Sequence, residues 1–440
     1  MTITQKADML CENIKRSESG ELCFANVSLS SLAEKYGTPL YLYDEERVRH
    51  NCRVYLDAVR EGFGETASVM YASKAASFKR IYEIVGEEGL GVDVVSCGEI
   101  YTAHRAGFPI EKAYFHSNNK TDADIEYAIQ HGVGCFVVDN AEELYAIDEI
   151  AAKFGIKQKI MLRITPGIDP HTYAAVATGK VDSKFGSAIE TGQAETITAL
   201  ALTFSNIELM GFHCHVGSQI FDGDVYLSTS RVMLKFVADM RDKLGYVARD
   251  LDIGGGLGVR YIESHPVIDI KATILAVAED MKKTAEELGI TLPRISLEPG
   301  RSIVADAGMT LYTVGTVKRI PGYKSYVSVD GGMTDNPRFA LYGSPYTFLT
   351  VMGEAGEDAE ICSVVGRCCE SGDILQENVA IRPDIKRGDL IACLTTGAYN
   401  YSMSSNYNRI PRPPIVMLND GESYIAVKRE TVEDITRLDV

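Results

Sequence analysis

A repeat constrains this chain more than any single residue does. Between residues 68 and 301, eight short apolar segments recur: 68–74, 91–96, 112–117, 135–140, 159–166, 208–215, 249–254 and 294–299. Several are continuous rather than alternating, the pattern of parallel strands covered on both faces. Amphipathic helical patterns lie between them. Phe78, Ile81, Tyr82 and Val85 repeat at helical spacing. Thr121-Asp-Ala-Asp and Asn140-Ala-Glu-Glu carry helix-start signals. Residues 224–245 and 274–289 read as longer helices. Eight β–α units predict an α/β fold built on a (β/α)8 barrel of the TIM type.

The segment ends carry the chemistry. They hold Lys74, Asp93, His116, Asp139, Arg163, His215, the glycines 254–256 and the stretch Glu298–Arg301. In such barrels the active site is built at the C-terminal ends of the strands. From about Thr310 the pattern changes to short β runs bounded by Gly, Pro and Asp, near residues 311–317, 326–329, 360–365 and 390–394. This predicts a separate, mainly antiparallel β domain. The expected division is a barrel over 39–307, with 1–38 and 308–440 forming the β domain.

Charge and composition narrow the partners. A net charge of −17 disfavours nucleic acid and anionic membrane surfaces. No run of about 18 apolar residues exists to cross a membrane. Met1 to Gly20 carries no apolar leader pattern, so a cytoplasmic protein is expected. The ten cysteines form no Cys-x-x-Cys pair, which fits reduced thiols better than a disulfide framework. His213 and His215 could share a strand face, but no third and fourth ligands are spaced near them, so no metal is expected.

Five motifs specify a reaction. Lys74 ends Ser68-Val-Met-Tyr-Ala-Ser-Lys74, where an amine either snorkels to water or is enclosed and made nucleophilic. Asp252-Ile-Gly-Gly-Gly-Leu-Gly offers backbone N–H groups to a phosphate, or is only a tight turn. Its spacing is not that of a dinucleotide fingerprint. Glu298-Pro-Gly-Arg301 places a carboxylate that suits a protonated ring nitrogen and an arginine that suits an anion, unless the two pair with each other. An amine, a phosphate cradle and a ring-pairing acid together point to pyridoxal 5'-phosphate. Arg367-Cys-Cys369-Glu370-Ser-Gly-Asp373 adds a thiol and a carboxylate, and Arg338 and Tyr342 close Asp330-Gly-Gly-Met-Thr-Asp-Asn-Pro.

With these motifs in place, nearly the whole chain resembles the diaminopimelate decarboxylase family, fold type III, alanine-racemase-like pyridoxal phosphate enzymes. The resemblance runs from Leu40-Tyr-Leu-Tyr-Asp to Arg409-Ile-Pro-Arg-Pro-Pro. It rests on Tyr-Ala-Ser-Lys74-Ala, His215-Val-Gly-Ser-Gln, Asp-Ile-Gly-Gly-Gly, Glu298-Pro-Gly-Arg-Ser, Cys369-Glu-Ser-Gly-Asp and Gly397-Ala-Tyr399. The stretch from Asp169 to Gly186 is similar too.

The resemblance implies that Lys74 is the Schiff-base lysine and that Cys369 is the proton donor. It implies that His215 stacks on the ring, Glu298 pairs with the ring nitrogen, and Arg163 lies near the ring oxygen. Ser218, Gly254, Gly255, Gly256, Arg301 and Tyr399 would surround the phosphate, with Asp93 and Gly300 in the same site. Arg301, Arg338 and Tyr342 would hold a distal carboxylate of the substrate, with Tyr399 beside them, and Glu370 its amine. Cys369 and Glu370 would reach into a partner's site, making a homodimer with shared active sites. The implied reaction is loss of CO2 from meso-2,6-diaminopimelate to give L-lysine.

Three alternatives compete. Related decarboxylases act on ornithine, lysine, arginine or carboxynorspermidine. The ornithine type has an acidic residue where this chain has Gly343, so a distal carboxylate fits better here than a bare amine. An alanine-racemase-like activity is disfavoured by the Cys-Glu-Ser motif. A catalytically dead regulator need not keep Lys74, Glu298 and Cys369. One departure from the family phrase Lys-Ala-Asn is Ala76, where a small change at the pocket rim is expected.

Overall fold

The computed structural model describes residues 10–169 and 181–440. Most of the Asp169–Gly186 motif, residues 170–180, therefore lies outside the described residues. The chain divides into two compact units. One holds residues 51–169, 181–258 and 268–302; the other holds 10–50, 259–267 and 303–440.

The first unit is the predicted barrel. Its strands are β1 (Ser68–Ala72), β2 (Gly91–Val94), β3 (Ala113–Phe115), β4 (Cys135–Val138), β5 (Gln158–Thr165), β6 (Ile207–His213), β7 (Asp250–Asp252) and β8 (Arg294–Leu297). Each is parallel to the next, and β8 pairs with β1 to close the ring. Every residue of β2, β4 and β7 is buried. In β4, Cys135-Phe-Val-Val138, that double-sided burial reads as an unbroken apolar run, while β2 and β7 bury Asp93, Asp250 and Asp252 among their apolar residues.

The helices form where the capping signals put them. Lys79–Glu87 buries Ile81, Tyr82, Ile84 and Val85 on one face. Thr121 caps Asp122–Gln130 with a reciprocal capping box. Asn140 caps Ala141–Phe154, which ends at Gly155 with φ 64°. One helix begins earlier than its apolar pattern: Ile270–Glu287 starts four residues before Ile274 because the Asp269 side chain accepts the N–H of Ala272.

The second unit is built on a mostly antiparallel sheet. Its hub is the strand Gly308–Arg319, which pairs antiparallel with Leu40–Asp44, Ser325–Val329 and Leu390–Leu394. Two pairings are parallel: Ser325–Val329 with Glu360–Val365, and Leu40–Asp44 with Ile415–Asn419. Leu22, Phe24, Leu40, Leu42, Leu311, Leu394 and Val416 form its core. Among the described residues, no helix is long and apolar enough to cross a membrane.

Candidate active site

Strand β1 stops at Ala72, whose N–H donates to Pro299 O, and the chain turns through the 3-10 turn Ser73–Ala75. The turn is pinned because the Ser73 hydroxyl donates to the Asp93 carbonyl. Lys74 therefore stands just past the strand end, with Nζ 3.6 Å from Asp93 Oδ2. The amine is not enclosed, since 46% of its side chain is exposed. Asp93 is buried, and neither carboxylate oxygen has a hydrogen-bond partner. Besides the Lys74 amine, His116 Nε2 lies 3.9 Å from Asp93 Oδ1.

Glu298 follows β8 and is buried. His116 Nε2 donates to its Oε1 at 2.7 Å, and His213 Nε2 to its Oε2 at 2.9 Å. Burial pushes the Glu298 carboxyl up, but the two imidazoles outweigh it and hold it well below the usual carboxylate range. Asp252, at the end of β7, behaves oppositely. Burial and the Glu298 charge push its carboxyl up to about 8. Sequence reasoning placed His116 at a strand end and weighed His213 for zinc, but joined neither to Glu298.

His213, His116 and Glu298 place ligand atoms within 4.8 Å of one another, a grouping the sequence does not reveal. A tetrahedral ion with bonds of about 2.0–2.2 Å needs its ligands more than about 3 Å apart. The contacts at 2.7 and 2.9 Å are too short for that and are direct hydrogen bonds.

The glycine run lies between β7 and the next helix. Gly254 has φ 72° and Gly256 φ 117°, conformations an L side chain rarely adopts. A Cβ at 254, 255 or 256 would lie 2.6, 2.0 or 2.1 Å from the carbonyl oxygens of Cys214, Glu298 and Gly217. The Gly255 N–H donates to His215 Nδ1 at 3.4 Å. Burial, with the Lys74 and Arg163 charges, pushes the His215 imidazole well below its usual range. That leaves it a neutral, flat apolar face. Arg301 is buried and its Nε donates to Ser218 Oγ at 3.1 Å. At Gly300 a Cβ would approach Ala72 O at 2.9 Å. The Arg163 guanidinium lies 4.4 Å over the Phe185 ring.

The remaining expected site residues belong to the second unit. Arg338 is buried, its guanidinium 5.2 Å over the Tyr342 ring and 5.0 Å over the Tyr399 ring. Among the described residues its Nε has no hydrogen-bond partner, and the guanidinium's recorded polar contact is the 3.9 Å approach of Nη1 to Met403 Sδ rather than a carboxylate. Tyr399 holds φ 70°. Cys369 and Glu370 are exposed on a loop. The Cys369 N–H donates to Asn408 Oδ1 at 2.7 Å. Asp373 fastens that loop by accepting the N–H groups of Met333 at 2.6 Å and Cys368 at 2.7 Å. Gly332 and Gly366 flank this carboxylate, and a Cβ on either would collide with it. Burial, then Asp373, pushes the neighbouring Cys368 thiol up to about 12. It stays protonated there.

These groups fit pyridoxal phosphate. The barrel offers an amine, an anionic acceptor among buried donors, and a glycine cradle with no room for a side chain.

Comparison with known proteins agrees. The profile described as the pyridoxal-binding domain of pyridoxal-dependent decarboxylases matches residues 46–305. A diaminopimelate decarboxylase of Bacillus subtilis is 44% identical over 428 residues, 97% of each chain. The crystal structure of diaminopimelate decarboxylase from M. jannaschii with L-lysine superposes with a TM-score of 0.89, at 31% identity and 98% coverage of both chains. That of the Helicobacter pylori enzyme with L-lysine gives 0.84 at 32% identity, covering 93% of this chain and 98% of its own. The barrel with its amine, acid and cradle, and the match along the whole length, place this chain in the diaminopimelate decarboxylase family of pyridoxal-dependent decarboxylases.

Proposed function

We propose that this chain decarboxylates meso-2,6-diaminopimelate to L-lysine and CO2, the last step of lysine biosynthesis. The observation that carries the choice of substrate is Arg338: a buried guanidinium, Nε unpartnered, that no carboxylate of the described residues neutralises. A buried cation of this kind calls for an anion from outside the chain. A distal carboxylate supplies one; the bare terminal amine of ornithine does not.

Bound pyridoxal phosphate supplies the sink for the electron pair left when CO2 departs. Lys74 Nζ anchors it, with Asp93 opposite the amine. Glu298 presents an anionic acceptor to the ring nitrogen. His215 would offer a neutral ring to the cofactor face. Arg163 would serve the ring oxygen. Ser218, Gly254, Gly255, Gly256, Gly300 and Arg301, with Tyr399, would hold the phosphate. Arg301, Arg338 and Tyr342 hold the distal carboxylate, and Glu370 the distal ammonium. Cys369 Sγ delivers a proton to the α-carbon, where a C–H bond replaces the broken C–CO2 bond, and solvent restores the thiol.

The exposure of Cys369 and Glu370 supports their serving the site of a second copy, in a homodimer with shared active sites. Among the described residues the ten cysteines form no disulfide, which supports a reducing, cytoplasmic setting.

The test is CO2 release from meso-diaminopimelate beside ornithine, lysine and arginine, with K74A as the control. The wild type should turn over diaminopimelate fastest, and K74A should lose both turnover and the bound chromophore. Faster turnover of any of the other three amino acids would overturn the substrate assignment. A wild-type protein with no bound chromophore would overturn the enzyme.

A further inference from the structure

The resemblance gives Glu298 a partner in the cofactor ring but gives no task to the two histidines beneath it. Both are buried, at 5% and 1% exposure. They come from different strands, His116 from the end of β3 and His213 from the end of β6, and their rings meet edge to face at 4.9 Å. Each reaches a different oxygen of Glu298 through Nε2. A carboxylate only accepts, so each ring must carry its hydrogen on Nε2.

We propose that His116 and His213 are positioning residues that clamp Glu298 as an anion, so that the proton on the cofactor's ring nitrogen stays on the ring. The proposal rests on the assignment of Glu298 as the ring-nitrogen partner. A carboxylate in a dry site takes up a proton unless donors compensate for lost water. With one oxygen released, Glu298 becomes the stronger base and draws the shared proton toward itself. The ring then loses the charge that makes it an electron sink. With both oxygens held, the carboxylate also has a fixed orientation, and its remaining lone pairs are left for the ring nitrogen.

The surroundings do not replace the clamp. The other charged or titratable groups facing Glu298 among the described residues are Arg163, Asp252, His215 and the buried thiol of Cys214, with Asp93 and Lys74 behind His116. No hydrogen bond joins Arg163 to Glu298, and Asp252 opposes the ionised form. The two imidazoles are the only side chains among the described residues that hydrogen-bond the carboxylate.

The test starts from the cofactor-free protein. Glutamate carboxyl carbons are labelled with 13C, and the Glu298 resonance is identified by its loss in E298Q. In the wild type it should stay ionised from pH 5 to 8. H116L and H213L should each move its titration up into that range. H116Q and H213Q, whose amide N–H reaches the position of Nε2, should restore the wild-type behaviour. In the loaded enzyme, a 15N-labelled ring nitrogen should give the shift of a protonated pyridine in the wild type and glutamine variants, and move toward the neutral value in the leucine variants. The same leucine variants should lose about ten- to a hundredfold in kcat, the ratio one hydrogen bond to a charged group is worth, with KM changed much less.

Identical titration of Glu298 in the wild type and leucine variants would overturn the clamp, as would equal damage from glutamine and leucine. Should a leucine variant not fold, the glutamine variants still decide: titration of Glu298 between pH 5 and 8 in either overturns the proposal. A wild-type enzyme that released no CO2 would instead overturn the functional reading, and it would leave the cofactor-free titration unaffected.

Discussion

A methyl group at position 255 would sit 2.0 Å from the Glu298 carbonyl oxygen, inside the contact distance of any two heavy atoms. The obstacle is backbone, so no side chain can turn aside to admit it. Overpacking of this kind costs about 1–3 kcal/mol. Gly255→Ala should therefore lower stability by that amount and, by pushing β7 from β8, weaken cofactor binding at least about tenfold, each 1.4 kcal/mol being a factor of ten. A spectrophotometric cofactor titration reads this directly. Affinity equal to the wild type would remove the glycine run from the cofactor site. The same scale explains why this run reads ambiguously in sequence. Three glycines announce a close approach of backbone, but only the carbonyls of Cys214, Glu298 and Gly217 show what is approached.

At the scale of elements, Asp335 is the clasp of the second unit. Its carboxylate accepts the N–H of Gly332 at 2.8 Å and the hydroxyl of Tyr312, while its carbonyl accepts the Tyr41 hydroxyl at 2.5 Å. One residue thus ties the strands Leu40–Asp44 and Gly308–Arg319 to the loop that leads to Arg338. Burial pushes its carboxyl up to about 7, against the hydrogen bond from Tyr312. The folded value lies above the unfolded one of about 3.9, so its contribution to stability is complete below about pH 4 and is lost as pH rises toward 7. The slope is at most about 1.4 kcal/mol per pH unit. D335N does not titrate, so the stability gap between wild type and variant should narrow from pH 4 to pH 7 in denaturant unfolding. A gap independent of pH would show that Asp335 is ionised throughout.

The elements also show where sequence stops. The eight barrel strands were legible because apolar segments recur, several of them continuous where both faces are buried, and the helix starts because Thr121, Asn140 and their followers cap them. Lys74, Asp93 and Glu298 could be placed at strand ends for the same reason. The clamp could not. His116 and Glu298 are 182 residues apart, His213 and Glu298 85, and only closure of the ring brings β3, β6 and β8 to one point. Asp373 between Gly332 and Gly366 was hidden for a similar cause, since two loops distant in sequence meet on one carboxylate.

For the whole molecule, the two units carry complementary equipment. The barrel bears the Lys74 amine, Glu298 and the glycine run proposed to hold the cofactor. The sheet unit bears Arg338, which no carboxylate of the described residues neutralises, and the exposed Cys369. The central claim is that Lys74 of one copy and Cys369 of another serve a single decarboxylation. Its most direct test is a hybrid dimer: K74A and C369A chains with different tags are co-expressed, and the mixed dimer is isolated by sequential affinity steps. Each parent homodimer should be inactive. In the hybrid one site keeps both groups, so CO2 release from meso-diaminopimelate should return to about half the wild-type value per dimer, as two-fold symmetry requires. A hybrid as inactive as its parents would contradict the account.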